Sequence, residues 1–244
     1  MPIRPDAARL LLDTLRDERG RRVILVSHCL LNENTRYAGG ATRSGAVVEA
    51  VDELTAAGFG IHQLPCPEQL AWGGVLKRRS LWLYHSKGRL LYPLRGILLT
   101  AFVLWTKAVY KRLARHVARE VADYEQAGVA VEGIVGIGAS PSCGVVTTLD
   151  LRASLEVVAS CPAATLTREV MNEDAVLGCR RAGEGLFIRS LDRELKRRRL
   201  TVPAIEHDLA AELRGERQWL LVNNSHRRLG CIRATSDHDV TRRD

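Results

Sequence analysis

Hydrophobic positions change their period several times along the chain, and each change marks an element. Ala8, Leu11, Leu12 and Leu15 recur at helical spacing until Gly20 interrupts them, which predicts an opening amphipathic helix. Val23-Ile24-Leu25-Val26 follows, a short β-branched run of the kind buried on both faces of a sheet. A loop over Asn32 to Thr42 leads to Val47, Val51 and Leu54, a helical stripe that Gly58 ends, and then to a second strand, Gly60 to Leu64. Strand, helix and strand in such close succession form a βαβ unit, hence a parallel sheet with a right-handed crossover.

Pro93 to Ala127 reads as one long helix or two in succession, with Val109, Leu113, Val117 and Val121 as a buried stripe and Gly128 as the stop. A third strand, Val131 to Ile137, runs into Gly138-Ala139-Ser140-Pro141-Ser142-Cys143-Gly144. Downstream the pattern predicts a strand or helix near Leu155 to Val158, a helix near Glu169 to Arg180 and a basic helix near Ile188 to Arg199. Strands are expected at Thr201 to Ile205 and Trp219 to Val222, with a frayed polar tail from Arg233. The expected organisation is one α/β domain: a core over 21–150 with a helical insertion at 75–128, a C-terminal extension over 151–232 and a tail over 233–244.

Composition adds limits. A chain of 244 residues, 46% apolar and 26% charged, is an ordinary globular protein with room for one sizeable core. Lys plus Arg outnumber Asp plus Glu by 36 to 28, and the resulting charge of +8 favours anionic partners such as nucleotides, RNA or acidic lipid. Much of the excess sits on Lys107 to Arg119 and Arg189 to Arg199, which read equally as solvated helix faces. The first twenty residues lack the uninterrupted apolar core of a secretion signal, so a cytoplasmic, reducing compartment is expected. Six cysteines in such a place are read as free, metal-bound or catalytic rather than as structural disulfides. The most apolar stretch, Leu90 to Trp105, contains Arg95 and falls short of the roughly 20 apolar residues of a spanning helix, so a buried helix and no transmembrane segment are expected.

Three predicted strands each end in a cysteine-bearing loop: VILVSHC, GIHQLPC and IVGIGASPSC. In a parallel sheet the carboxyl ends of the strands share one edge, where α/β proteins place their ligands. Cys29, Cys66 and Cys143 would then meet as a three-thiolate site for an iron–sulfur cluster, zinc or copper(I), with a fourth position open. The competing reading is three small buried residues of the core. Cys161, Cys179 and Cys231 lack the strand-then-loop setting and read as core or surface thiols. Gly133, Gly136 and Gly138 match neither GxGxxG nor a P-loop, and Ser140 and Ser142 lack the flanks of a nucleophile elbow. The amides of Ser142 to Gly144 could still cradle an anion or a cluster sulfide.

In this order, SHCLLNENTRYAGG (Ser27 to Gly40), CPEQ (Cys66 to Gln69) and SPSCG (Ser140 to Gly144) resemble the DUF523 proteins, a family associated with thiouracil desulfidases. The resemblance implies a Rossmann-like, three-layer α/β fold with a mainly parallel sheet. It implies a [4Fe-4S] cluster held by Cys29, Cys66 and Cys143 with one iron open, and a reaction that removes sulfur from a thiolated pyrimidine or nucleotide as sulfide. Carried over by position, Glu68 and Ser140 would be the catalytic pair. The open iron would act as a thiophilic Lewis acid, Glu68 would activate water, and Ser140 would donate to the ring or the developing charge. Against these roles stand an ordinary ion pair for Glu68 with a nearby arginine and a turn-capping role for Ser140.

Arg36 and Tyr37, in the loop expected to cover the site, would bind the base or its phosphate or else form a packing pair. Ser27, Asn34 and Ser142 complete the candidate substrate contacts. The chain departs from the family pattern at Asn32, at Ala38 and after the CPE motif, where AWGGVLKRRSLWLYHSKGRLLYPLRG replaces a short glycine- and proline-rich segment. The basic helix at Ile188 to Arg199 would suit a larger substrate such as tRNA. Two other expectations stand beside the desulfidase: a thiolate-metal module that binds RNA without catalysis, and a zinc site on the same three cysteines.

Overall fold

The computed structural model describes residues 18–81, 92–162 and 165–216, with a few isolated positions outside these ranges. Its strands are β1 (Arg22–Val26), β2 (Gly60–Gln63), β3 (Ala130–Ile137), β4 (Thr147–Leu149), β5 (Arg180–Ala182) and β6 (Ala204–His207). Its helices are α1 (His28–Leu31), α2 (Val48–Ala56), α3 (Pro67–Trp72), α4 (Arg78–Leu81), α5 (Arg95–Gln126), α6 (Leu151–Ser160), α7 (Leu186–Arg197) and α8 (Leu209–Leu213).

Four strands form a parallel sheet in the order β2-β1-β3-β6, flanked by helices in the manner of a Rossmann-like α/β fold. The apolar run in β1 is buried because β2 and β3 hydrogen-bond to its two edges and helices cover its faces; Ile24, Leu25 and Val26 have almost no exposed surface. From β1 the chain moves outward to β2, then returns across β1 to β3 and continues to β6. Right-handed crossovers therefore put α2 on one face of the sheet and α5 on the other, and α7, which serves the next crossover, packs along α5. The reversal of strand order between β1 and β3 opens a crevice at the carboxyl edge of the sheet.

The long segment is one helix and not two. α5 runs unbroken because Leu99, Phe102, Thr106, Tyr110, Leu113, Val117 and Val121 keep one buried face, and it stops where Gly128 takes φ +76°. The region near Leu155 is helical, with Asp150 capping α6 by accepting from the amides of Arg152 and Ala153. The expected helix from Glu169 to Arg180 is instead a π-helical segment, Val170–Leu177, followed by β5, which pairs with β4 as a small antiparallel ribbon. The last sheet strand lies a few residues beyond the expected Thr201 to Ile205: the Pro203 carbonyl accepts from the amide of Ile134 in β3, and Ala204 is the first residue in register with that strand. Most of the opening helix, the expected strand at Trp219 to Val222 except Leu220, Cys231 and the tail lie outside the described residues; Leu220 is buried and its amide donates to Glu53 Oε2. Among the described residues no helix is long and apolar enough to cross a membrane.

Candidate functional site

At the carboxyl edge the three cysteine-bearing loops line one cavity of about 100 Å³. Cys29 follows β1 in α1, Cys66 is the N-cap of α3 after β2, and Cys143 sits in the turn after β3. Charge on one sulfur disfavours ionisation of another: Cys143 and Cys66 both act on Cys29, and Cys66 acts on Cys143. Cys66 and Cys143 are buried, while Cys29 keeps some open surface.

Burial pushes the Cys66 thiol up to about 11 and the Cys143 thiol up to about 12, with Cys29 also raised. Donors work against this cost. The amides of Gln69 and Glu68 at the start of α3 face Cys66, the hydroxyls of Ser27 and Ser142 face Cys143, and the Arg36 charge acts on Cys29. Ser27 is fully buried and its Oγ has no other partner among the described residues. Three desolvated soft sulfurs ringed by N–H, O–H and cationic groups match a thiophilic cation, which would hold them as thiolates. Among the described residues, no three His, Cys, Asp or Glu side chains stand close enough together to hold a single metal ion.

Glu68 and Ser140 both line this cavity and are joined through Ser142. Ser142 Oγ donates to Glu68 Oε1 at 3.1 Å, and the hydroxyls of Ser140 and Ser142 are 3.1 Å apart. Ser140 Oγ accepts from the amides of Ser142 at 3.3 Å and Cys143 at 3.0 Å, so it does cap the turn. Glu68 has an ionic partner, but it is Lys77, whose Nζ lies 2.5 Å from Oε2. No arginine among the described residues pairs with it.

Arg36 lines the cavity, yet its guanidinium is largely committed. It forms a two-pronged pair with Glu212, lies 3.2 Å from Glu33 Oε1, and donates to the carbonyls of Gly40 and Cys29. Glu212 in turn holds His207 Nε2 at 2.6 Å and Thr42 Oγ1 at 2.5 Å. Although burial works against its charge, His207, Arg36 and Thr42 keep this carboxyl well below the usual range. Tyr37 also lines the cavity and donates from its hydroxyl to Asn172 Oδ1 at 2.8 Å, on the π-helical segment. Asn34 is not brought to the cavity: it is exposed, and its amide bonds to Asn32 Oδ1.

Two residues join the site without having been singled out in the sequence. Lys77 enters from the turn after α3 in a left-handed conformation, φ +50°, with its side chain only 8% exposed. Tyr110, fully buried on α5, has a hydroxyl without a regular hydrogen-bond partner among the described residues; it lies near Ser142, Glu68 and the thiols of Cys143 and Cys66. Its signal was a hydroxyl-bearing ring on an otherwise apolar helical stripe. Lys77 had none, since its role depends on a turn that returns to α3.

The sheet order defines an α/β protein of the Rossmann-like class, with a cavity at the chain reversal. No protein-family model and no solved structure match the chain. A stretch of 55 residues is 42% identical to the uncharacterized protein MJ0003 of Methanocaldococcus jannaschii. That stretch is 22% of this chain and spans only 35% of the length of the archaeal protein.

Proposed function

We propose that this chain is an iron–sulfur-dependent desulfidase that converts a small thiolated nucleobase or related thioamide to its oxo form, releasing sulfide. The observation that carries the reading is the convergence of Cys29, Cys66 and Cys143 with Glu68 and Ser140 on one cavity, from loops far apart in sequence. Three cysteine thiols facing one cavity are the ligand set that a [4Fe-4S] cluster would take with one iron left free. When bound, that centre would supply a thiophilic Lewis acid for the thiocarbonyl sulfur.

The protein groups have separable tasks. Glu68, anchored at one oxygen by Ser142 and at the other by Lys77, orients the attacking water and receives its proton. Ser140 has its lone pairs turned to two amides, so the hydroxyl proton is what it offers, to Ser142 or to a polar atom of the substrate. Trp72, Leu155, Val158 and Met171 give the cavity apolar walls, and its cations Arg36 and Lys77 are already neutralised by carboxylates. A small uncharged ring therefore suits it better than a phosphate-bearing nucleotide or tRNA.

Protein purified and reconstituted without oxygen is expected to be brown, to contain iron and acid-labile sulfide, and to release sulfide from thiouracil. Cys29→Ser, Cys66→Ser and Cys143→Ser should each lose most of the iron. Glu68→Gln should keep it and lose at least about 100-fold in kcat, the usual scale for a general base. Colourless wild-type protein after reconstitution, or iron retained equally by all three serine variants, would sink the proposal.

A further inference from the structure

Among the described residues, α5 also has an uncovered face unrelated to the cavity. Ile97, Ala101, Leu104, Ala108, Lys111 and Arg115 follow one another at steps of three or four residues, which places them on a single side, opposite Leu99, Phe102, Thr106 and Tyr110. This side is open: Ile97 is 71% exposed, Leu104 60% and the adjoining Trp105 50%. Its character changes along the axis. From Ile97 to Ala108 it is apolar; from Lys107 to Arg119 it carries Lys107, Lys111, Arg112, Arg115 and Arg119, and the first acidic residue after Arg95 is Glu120.

The apolar end continues onto the neighbouring turn. Trp105 Nε1 donates to the carbonyl of Ala71, the Arg79 guanidinium stacks over the Trp105 ring at 5.5 Å, and Leu70, Val75 and Leu76 beside them are exposed as well. Leu94, just before the helix, is exposed too. Single exposed apolar side chains are ordinary, but seven of the large exposed ones cluster here.

From this face we infer that the protein docks on an anionic lipid surface, with the amino half of α5 dipping into the interface and the carboxyl half lying on the headgroups. Aliphatic groups gain by leaving water for acyl chains, tryptophan favours the interfacial layer, and lysine and arginine gain from anionic headgroups. From Ile97 to Arg115 the face is about 27 Å long at 1.5 Å per residue, enough to lie along a membrane surface. RNA would reward the basic half but leave Ile97, Leu104 and Leu76 without a partner. A second copy meeting this face through a two-fold axis would set basic ends against apolar or like-charged ones, in a chain of charge +8.

The test is flotation of the whole protein with vesicles of phosphatidylcholine alone or of phosphatidylcholine with an equal part of phosphatidylglycerol. Wild type should float with the anionic vesicles and stay behind with the neutral ones. Ile97→Glu/Leu104→Glu should weaken binding by about tenfold or more, and Lys111→Gln/Arg115→Gln by about fivefold for each charge removed. All these positions are exposed, so circular dichroism and melting of both variants should match wild type. Failure to float with either vesicle would overturn the inference. So would a dimer abolished by Ile97→Glu/Leu104→Glu, or retention on RNA without vesicle binding. None of these readouts depends on iron or on sulfide release, so the fate of the proposed activity is decided separately.

Discussion

Lys77 is the residue whose conformation and charge are hardest to explain without the site. A non-glycine residue at φ +50° costs about 1 kcal/mol or more, and a buried ammonium costs several. Both costs are met at one place, where Nζ reaches Glu68. Burial lowers the ammonium's affinity for its proton, but the Glu68 charge and hydrogen bond outweigh it, and Cys66 and Cys29 add to the rise. The folded pKa is thus above the unfolded value of about 10.4. The pair's contribution is complete below that value and is lost as pH rises through the folded pKa. Lys77→Met should cost about 3–5 kcal/mol by leaving Glu68 buried with Ser142 as its remaining partner. Lys77→Met/Glu68→Gln should recover much of it, which a double-mutant cycle of urea melts would measure. Equal and additive losses would show that the two side chains do not act as a pair.

At the scale of elements, the turn after β3 shows how closely the site is fitted to its strand. A side chain at Gly136 would come within 2.2 Å of the Cys143 carbonyl oxygen, and one at Gly144 within 2.1 Å of the Thr147 carbonyl oxygen. Ala139, in the same turn, takes φ +54°. Gly136→Ala should therefore displace the Cys143 turn and destabilise the fold by about 1–3 kcal/mol. Maleimide labelling followed by mass spectrometry should find Cys143 protected in wild type and reactive in the variant. An unchanged labelling pattern would mean that the turn moves without disturbing its cysteine.

The three strands and their cysteine loops were legible because a two-sided buried strand has a plain signature, and a parallel sheet then dictates a common edge. The glycines between Gly133 and Gly144 were visible only as a motif that matched nothing, since close backbone approach leaves no trace in periodicity. The β4–β5 ribbon escaped notice because three-residue strands carry too few positions for an alternation to register. Arg36 was legible as part of the covering loop, but its partner Glu212 lies far along the chain and no local pattern joins them.

For the whole molecule, that pairing is the main tie between the first loop and the last described helix. Arg36 and Glu212 close the covering loop onto α8, with His207 at the end of β6 and Glu33 in the same cluster. Because the Glu212 carboxyl is depressed, its contribution is present above the unfolded value of about 4.3 and is lost as pH falls toward the folded one. Wild type should therefore lose stability in acid below about pH 4. Glu212→Gln should be less stable at neutral pH by about 3–5 kcal/mol, since Arg36 keeps only Glu33 and carbonyls as partners. It should also show a shallower acid dependence; parallel curves for both proteins would assign the acid loss elsewhere.

The cavity wall draws on residues from His28 to Leu209, with its three thiols introduced by successive strands. A ribosome making this chain would expose Cys29 and Cys66 long before β3 and α8 exist to enclose them. The inorganic group proposed for them would then have to arrive after synthesis of the wall is nearly complete, or be handed to a half-built pocket by something that shields the early thiols in the meantime.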